Sequence, residues 1–255
     1  MNVVHEPKRL DPLVTVVVPS FNQGQFIDDA LASIFVQELP VEVFVVDGGS
    51  TDNSIDTIRK WESRLAGWRS HKDNGQAAAI NEGIAMGRAP YVCWLNSDDW
   101  FLPFGLKKLV KELELDQSVP VIYGQTKNFD QTSSTLTNVW VEPFSVKRLA
   151  LRCIISQPGT LIRRSAWESV GGLDPKLQFS MDYDLWWRLY KEFGNLCFLD
   201  DFVAVNRVHE GTKTRNYRQQ HNDESVSIVK KYNGKVPLKW MLLRPYSVWF
   251  RSIFG

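Results

Sequence analysis

Two short apolar runs near the N-terminus constrain the fold more than any other feature of the sequence. Residues 13–18 and 41–46 are rich in valine, and each is an almost continuous apolar stretch of the kind found in strands buried on both faces. The first run precedes apolar residues at helical spacing, and the second precedes a helix predicted to begin near Ile55. Two successive strand–helix units predict a parallel sheet with right-handed crossovers.

Two more strands are predicted to extend that sheet. Residues 69–72 form a short third strand, residues 77–86 have a helical pattern that ends at Gly87, and the run from Tyr91 to Leu95 is the fourth strand. We therefore expect an α/β protein with an open, mostly parallel twisted sheet flanked by helices.

Polar residues follow each of the four predicted strands. They lie at Ser20–Asn22, Asp47–Asp52, Asp73–Gly75 and Asn96–Asp99. Ligands of open parallel sheets bind beyond the carboxyl ends of the strands, where these four clusters would meet. Each cluster alone is more typical of a helix cap or a turn, but four at one edge predict a nucleotide-sized binding site.

The adjacent carboxylates Asp98 and Asp99 are the most specific feature of that edge, and we expect them to be exposed. Neighbouring carboxylates repel each other unless a cation or hydrogen-bond donors compensate their charge. Mg²⁺ and Mn²⁺ prefer such oxygen ligands. A solvated turn leading into a helix near Pro103 is the alternative, and the dipeptide alone does not separate the two interpretations.

Composition excludes several classes of function. The chain has 255 residues, 44% of them apolar, which favours one large domain. A formal net charge of +1 and the absence of basic tracts argue against a nucleic-acid partner. Cys93, Cys153 and Cys197 are isolated in apolar stretches, as buried thiols of a reducing compartment would be. We find no signal-like segment and no apolar run of about 18 residues, so we expect a cytoplasmic protein.

Seven motifs in a fixed order resemble those of family 2 glycosyltransferases, enzymes with the GT-A fold. The motifs are Val14–Asn22, Val45–Asp52, Asn81–Gly83, Leu95–Asp99, Gln157–Arg164, Val170–Asp174 and Met181–Arg188. The resemblance implies an N-terminal extension at 1–12, a GT-A domain at 13–214 and a helical tail at 215–255. Within the domain, a Rossmann-like half that binds the nucleotide sugar (13–100) would precede a half that binds the acceptor and carries the catalytic base (101–214).

The resemblance also implies the partners and their contacts. The donor would be a nucleoside diphosphate sugar, with a UDP-sugar favoured, and the acceptor a saccharide or a lipid-linked saccharide. The residues assigned to the nucleotide sugar are Pro19, Ser20, Phe21, Asn22, Asp47, Asn74, Gly75, Asn81 and Asp98. Asp99 would bind divalent Mn²⁺ or Mg²⁺, with Asp98 and His209 as further ligands, and Lys213 would contact the diphosphate. A lone histidine is as often incidental, so both interpretations of His209 stay open.

Two positions depart from the family pattern. Many relatives have Asp-x-Asp or Thr-Asp-Asp where this chain has Asn96 at the first position. Asp99 would then bind the metal with help from Asp98, and with modest affinity until the diphosphate arrives. Met181 stands where relatives usually have glutamate, which leaves Asp182 without an acidic neighbour.

Asp182 is the expected general base, in the first turn of a predicted helix, with Asp184 as the next candidate. A helix N-terminal charge is the alternative role for Asp182. One base and no covalent nucleophile imply sugar transfer with inversion at the anomeric carbon. We expect the reaction to belong to the synthesis of cell-envelope polysaccharides or other glycans. The metal at Asp99 would stabilise the leaving diphosphate.

Two other classes of protein are weighed against this interpretation. A non-catalytic nucleotide-sugar-binding protein on the same fold would have no use for a carboxylate at Asp182. A nucleotidyltransferase would need a basic phosphate loop after the first strand, and Ser20–Gly24 contains neither Lys nor Arg.

The second half of the chain has a less regular pattern. Its predicted elements are a strand at Val119–Tyr123, a hairpin at Lys127–Trp140, helices at Glu142–Arg152, Ser165–Val170 and Arg215–Tyr232, and a strand at Leu196–Val205.

The C-terminal tail is dense in aromatic residues with interspersed Lys and Arg, and Pro245 divides it. This pattern favours an amphipathic element at the inner face of a membrane, and a helix packed on the domain is the alternative. The residues expected to enter the membrane surface or to meet its anionic headgroups are Trp240, Trp249, Phe250, Phe254, Lys235, Lys239, Arg244 and Arg251.

Overall fold

The computed structural model describes residues 11–244, and all structural statements below refer to that part of the chain. Its strands are β1 (Val14–Ser20), β2 (Val41–Asp47), β3 (Gly67–Ser70), β4 (Tyr91–Trp94), β5 (Trp100–Phe101), β6 (Val121–Asp130), β7 (Thr135–Asn138), β8 (Thr160–Arg163) and β9 (Cys197–Val208). Its α-helices are α1 (Ile27–Phe35), α2 (Ser54–Trp61), α3 (Gln76–Met86), α4 (Gly105–Leu115), α5 (Val146–Leu149), α6 (Arg164–Ser169), α7 (Met181–Phe193), α8 (Lys213–Asn216), α9 (Arg218–Asn233) and α10 (Leu238–Arg244).

The strands form one sheet in the order β3-β2-β1-β4-β8-β6-β9-β5, with β7 paired to β6. The first four strands are parallel, as predicted, although β3 begins at Gly67 instead of Arg69. Beyond β4 the sheet is mixed, because β8 runs antiparallel to both of its neighbours while β9 runs parallel to β6. The sheet is therefore parallel where the sequence pattern is regular and mixed where it is not.

Strand β1 is buried along its whole length because apolar clusters cover both of its faces. The pleat sends alternate side chains to opposite sides of a sheet. Val17 accordingly joins the cluster that contains α3 and α7, whereas Val16 and Val18 join the cluster that contains α1 and α4. Full burial of such a side chain contributes about 1.5–3 kcal/mol, which explains why the strand is almost entirely apolar.

Three tryptophans fix helix α7 against the end of β4. Trp94, the last residue of β4, stacks on Trp186 of α7 with 6.3 Å between the ring centroids. It also meets Trp167 of α6 edge-on at 5.9 Å. Because these large rings are buried together, the loop after β4 and the first turn of α7 have fixed relative positions.

The predicted hairpin is confirmed, since β6 and β7 pair in antiparallel register. The helix predicted at 142–152 is largely wrong, because only α5 is helical there. After α5 the chain turns back, and the Glu142 N–H donates to the carbonyl of Ile154. The hydroxyl of Tyr183 also donates to the carbonyl of Leu149, the last residue of α5. Tertiary contacts therefore end the helix early.

Strand β9 extends three residues beyond the prediction, to Val208, and lies between β6 and β5. Helix α4 packs very close to it. A Cβ on Gly105 would lie 2.1 Å from the carbonyl oxygen of Val203, so the first residue of α4 has to be glycine.

The described part of the tail packs on the domain. The indole of Trp240 in α10 donates to the carbonyl of Ala150 at 2.8 Å, and its ring contacts the apolar cluster around α7. The expectation that Trp240 enters a membrane was therefore wrong, because its polar and apolar atoms both have partners within the domain. Trp249, Phe250, Phe254 and Arg251 lie outside the described residues. No helix among residues 11–244 is long and apolar enough to cross a membrane.

Candidate active site

A cavity of about 930 Å³ lies where the carboxyl ends of β1 and β4 meet the first turn of α7. Residues from both halves of the chain line it. The predicted site residues on its wall are Pro19, Ser20, Phe21, Gly75, Asp98, Asp99, Asp182 and Lys213. The predicted residues outside its lining are Asn22, Asp47, Asn74, Asn81 and His209. The structure thus brings together side chains that are up to 194 positions apart in the sequence, from Pro19 to Lys213.

The first wall of the cavity contains an exposed aromatic ring. Phe21 follows β1, and 61% of its surface is accessible. A Cβ on Gly48 would lie 3.3 Å from the Phe21 ring and 3.5 Å from a carboxylate oxygen of Asp73. A side chain at position 48 would therefore press on the Phe21 ring, and glycine avoids that contact.

Asp47 organises this wall from behind instead of lining it. Its carboxylate is fully buried and accepts hydrogen bonds from the N–H groups of Gly49 and Ser50 at 3.0 and 2.8 Å. The hydroxyls of Ser50 and Ser70 donate to it as well. Four donors around the Asp47 carboxylate hold it within the loop after β2. The carboxylate of Asp47 therefore does not line the cavity.

Asn22 and Asn81 also have partners within the protein. Asn22 has φ 53°, and its side-chain oxygen accepts from the N–H of Thr51, which ties the loops after β1 and β2 together. The amide of Asn81 both donates to and accepts from the backbone of Leu173, at 2.8 and 2.9 Å. Asn74 is exposed beside the cavity. The predicted nucleotide contacts of these three residues stay predictions that the cavity lining does not support.

Asp99 is buried, with only 4% of its surface exposed, so the expectation of an exposed acidic pair was wrong at this residue. Its two oxygens accept from the side-chain amide of Asn96 at 3.1 Å and from the N–H of Arg207 at 2.9 Å. Burial raises its pKa well above the ordinary value, and the negative charge of Asp98 raises it further. Asp98 lies 3.1 Å from His209, measured from Oδ2 to Nε2.

The chemistry of this acidic loop fits a divalent cation. Two adjacent carboxylates, one of them with a raised pKa, would gain from a positive charge between them. An imidazole next to carboxylate oxygens is a donor set that Mn²⁺ accepts. Within residues 11–244, however, no three acidic, histidine or cysteine side chains are arranged around one point as a preformed metal site. Asp98 and Asp99 would therefore supply only part of a coordination shell, and phosphate oxygens the remainder.

Asp182 also lines the cavity, from the first turn of α7. Its carboxylate accepts the N–H of Tyr183 at 2.8 Å. Burial raises its pKa to about 6, and none of the ion pairs among the described residues involves it. Asp182 is thus a carboxylate that is ionised at neutral pH and still basic enough to accept a proton.

Asp184, two residues further along α7, has a different environment. Its side chain is 3% exposed and pairs with Arg188 at 2.7 Å and with Lys231 at 3.5 Å. The hydroxyl of Tyr232 donates to it at 2.8 Å. Asp184 therefore joins α7 to α9 and does not serve as the reserve base.

The family assignment follows from a comparison with known sequences. The sequence model of glycosyl transferase family 2 matches residues 15–171, which is more than half of the chain. The chain belongs to glycosyl transferase family 2. The resemblance found in the motifs is confirmed.

Curated relatives of this family 2 chain include two polysaccharide synthases from Pasteurella multocida. The chain is 26% identical over 227 residues to the chondroitin synthase of strain Pm70, a match that covers 87% of this chain and 23% of the relative. It is 26% identical over 206 residues to a hyaluronan synthase, covering 80% of this chain and 21% of that protein. The chain thus spans less than a quarter of the length of these two relatives.

Solved structures with the same architecture include two glycosyltransferases. Staphylococcus aureus TarS 1–349 in complex with UDP-GlcNAc matches with a TM-score of 0.70 and 17% identity, covering 92% of this chain and 73% of that one. The mannosyltransferase PcManGT of Pyrobaculum calidifontis, in complex with GDP-Man and Mn²⁺, matches with a TM-score of 0.70 and 21% identity, covering 96% and 74%. The expected GT-A fold is confirmed.

Two residues that position the site of this family 2 chain were not predicted from the sequence. Arg207 donates to the carbonyl of Asp98 at 3.0 Å and to Asp29 of α1 at 2.7 Å, and its guanidinium lies 4.7 Å from the centroid of the Trp100 ring. It fastens the acidic loop to β9. Its only signal in the sequence is its place two residues before His209.

Glu224 of α9 is the second missed residue. Its carboxylate accepts the N–H groups of Gln178, Phe179 and Ser180 at 2.8–2.9 Å. These residues immediately precede α7, so Glu224 fixes the position from which Asp182 enters the cavity. Lys213 reinforces the same loop by donating to the carbonyl of Gln178 at 2.6 Å, and partial burial lowers the pKa of Lys213.

Proposed function

We propose that this chain transfers a sugar from a nucleoside diphosphate sugar to a hydroxyl of a saccharide or lipid-linked acceptor, with inversion at the anomeric carbon. The observation that carries the proposal is the placement of Asp182. Its carboxylate has a pKa of about 6 and no cationic partner among the described residues, and it shares one cavity with the acidic loop.

Donor binding is assigned to the wall formed by the loops after β1 and β2. Phe21 offers an exposed ring on which a nucleotide base can stack, and Gly48 has no side chain to crowd that ring. Lys213 lies on the same cavity and carries a charge suited to a phosphate. The solved relatives that contain UDP-GlcNAc and GDP-Man support a nucleotide-sugar donor, and we favour a UDP-sugar.

Departure of the nucleoside diphosphate is assigned to the acidic loop. We propose that Asp99 and Asp98, with His209 beside them, bind Mn²⁺ or Mg²⁺ once the diphosphate supplies further oxygen ligands. A metal bound there supplies a Lewis-acid charge that stabilises the leaving diphosphate. Arg207 keeps Asp99 in place through its backbone N–H, so the two carboxylates remain directed towards the cavity.

Proton transfer is assigned to Asp182. As the acceptor oxygen forms its bond to the anomeric carbon and the bond to the diphosphate breaks, the hydroxyl proton passes to a carboxylate oxygen of Asp182. The N–H of Tyr183 orients that carboxylate. One base with no second carboxylate as a nucleophile gives a single displacement, and a single displacement inverts the anomeric centre.

A screen for the donor tests this proposal. The chain should show a raised melting temperature with one class of UDP-, GDP- or dTDP-sugar in the presence of Mn²⁺, and it should then release the nucleoside diphosphate over time. A melting temperature that no nucleotide sugar changes would count against an active glycosyltransferase. Stabilisation without any turnover, with every acceptor offered, would favour the non-catalytic binding protein.

The position of the enzyme at a membrane remains a separate proposal. We propose that Arg251 and the aromatic residues beyond 244 attach the cytoplasmic enzyme to anionic membrane surfaces. Full-length protein should sediment with anionic vesicles at low salt, and a version ending at residue 244 should not. Equal sedimentation of the two would reject this role of the tail.

A further inference from the structure

The acceptor side of the cavity contains a tryptophan and an arginine that form one unit. Trp140 and Arg152 both line the cavity, and 63% of the surface of Trp140 is exposed. The guanidinium carbon of Arg152 lies 4.7 Å from the centroid of the Trp140 ring. The Arg152 guanidinium also donates to the carbonyl of Trp140 at 3.2 Å. Arg152 therefore covers part of the indole and leaves most of the remainder open.

This unit is close to the proposed base. Arg152 precedes Cys153, which also lines the cavity. Burial raises the pKa of the Cys153 thiol, and the charge of Asp182 raises it further. The same cavity is thus lined by Trp140, Arg152, Cys153 and Asp182.

Arg152 forms no close ion pair among the described residues, although the hydrogen bond from Arg148 lowers the pKa of Glu142 and the charge of Arg152 lowers it further. None of the ion pairs among residues 11–244 includes Arg152. Glu142, the acidic residue closest to it in the sequence, is engaged by Arg148 through two hydrogen bonds of 2.6 Å. An anion that enters the cavity therefore finds an available guanidinium.

The two side chains suit complementary parts of one ligand. The electron-rich face of an indole attracts the C–H groups on one face of a pyranose ring. A guanidinium binds carboxylate or phosphate through two parallel hydrogen bonds. A sugar that carries an anionic group would satisfy both side chains at once.

We propose that Trp140 and Arg152 form an acceptor subsite that selects a sugar bearing a carboxylate or a phosphate. This inference rests on the proposed function, because it places the acceptor beside Asp182. It adds a substrate class, an anionic acceptor, and two residues that determine specificity.

The test is a calorimetric titration of the full chain saturated with UDP and Mn²⁺. Three matched trisaccharides serve as probes, ending in glucuronate, in glucose 6-phosphate and in glucose. We expect at least one anionic probe to bind about tenfold or more tightly than the neutral one, as a charge-assisted hydrogen bond would give. The difference between the two anionic probes identifies which anion the subsite prefers.

Substitutions assign the preference to the two side chains. Arg152→Gln should remove the preference for the anionic probe, and Arg152→Lys should keep part of it. Trp140→Ala should weaken binding of all three probes. Arg64 provides a matched control, because it lies 4.1 Å from the centroid of the Phe35 ring and outside the cavity. Arg64→Gln should leave the preference intact.

The outcomes separate this inference from the proposed function. If UDP binds but the three probes bind equally, or none binds, the subsite is rejected while the glycosyltransferase proposal stands. If Arg152→Gln keeps the preference, or if UDP competes with the anionic probe, the anion binds elsewhere and the subsite is also rejected. If neither UDP nor any nucleotide sugar binds, the proposed function itself fails.

Discussion

The acidic loop at Asn96–Asp99 and the first turn of α7 each bring two aspartates to the region of the cavity, with opposite results. In the loop both carboxylates line the cavity, and they share one electrostatic environment that a cation would relieve. In α7 the two aspartates are separated, because residues two apart in a helix do not face each other. Asp182 lines the cavity and Asp184 is buried in an ion-pair network. The partners of each carboxylate, more than its residue type, are the basis on which we propose metal binding for the loop and proton transfer for Asp182, while Asp184 packs in the ion-pair network.

The largest effect is expected at Asp182. Asp182→Asn keeps the shape of the side chain and removes the base, so turnover should fall by roughly 10²–10⁴, the usual contribution of a positioned base. UDP affinity, measured by calorimetry, should change little because Asp182 is assigned to the proton of the acceptor. Asp184→Asn is the control on the same helix, and an equal loss of turnover per folded molecule in both variants would show that α7 matters but its first carboxylate does not.

A substitution in the acidic loop should weaken nucleotide binding instead of proton transfer. Asp99→Asn should keep the fold, because asparagine has nearly the same shape and removes a buried charge. In Mn²⁺ the variant should bind UDP about tenfold more weakly or worse, a change of about 1.4 kcal/mol. In EDTA the variant and the unmodified chain should bind UDP alike. Identical affinities under both conditions would remove the metal from the site.

The buried member of the α7 pair should affect stability. Asp184→Asn weakens the contacts to Arg188 and Lys231, and we expect a loss of about 1–3 kcal/mol in the free energy of unfolding, measured with urea. The matched control is Asp56→Asn, because Asp56 forms an ion pair with Arg59 and its side chain is 77% exposed. That substitution should cost about 0–1 kcal/mol. Similar losses in the two variants would contradict a structural role for Asp184.

The smallest effects are expected from pH. Asp182 must be deprotonated to act as a base, so kcat/KM should rise with pH up to the pKa of Asp182, about 6, and then level off. The contribution of Asp182 to the free energy of unfolding has the opposite dependence on pH. The folded state retains the Asp182 proton to higher pH than the unfolded state, whose pKa is near 3.8, so this group lowers the free energy of unfolding as pH rises from about 3.8 to about 6. Asp182→Asn should lack this pH-dependent contribution.

The first half of the fold could be predicted because its determinants are local. Strand β1 is buried on both faces, and double-sided burial leaves a composition that is visible in seven consecutive residues. The motifs likewise led to Asp182 and Asp99. The environment of a carboxylate is less accessible from sequence, since Asp47 accepts hydrogen bonds from Gly49, Ser50 and Ser70 instead of lining the cavity.

The residues that the sequence did not reveal have partners far away in the chain. Arg207 binds Asp29, and Glu224 binds the loop at 178–180. Such pairs leave no periodic pattern near either member. The packing of Trp240 on Ala150 was only the alternative in the sequence analysis, since an aromatic helix has the same sequence pattern whether a membrane or its own domain covers it.

Strand β9 lies between β6 and β5, so the folded domain needs it. The folded domain therefore extends further along the chain than the match to the family model. The match ends at residue 171, before α7 and β9. A fragment cut there would lose Asp182 and the N–H of Arg207 that binds Asp99. It would also leave one side of β6 as a long unpaired edge, of the kind on which other chains add strands and aggregate. Any minimal or split version of this protein therefore has to include β9.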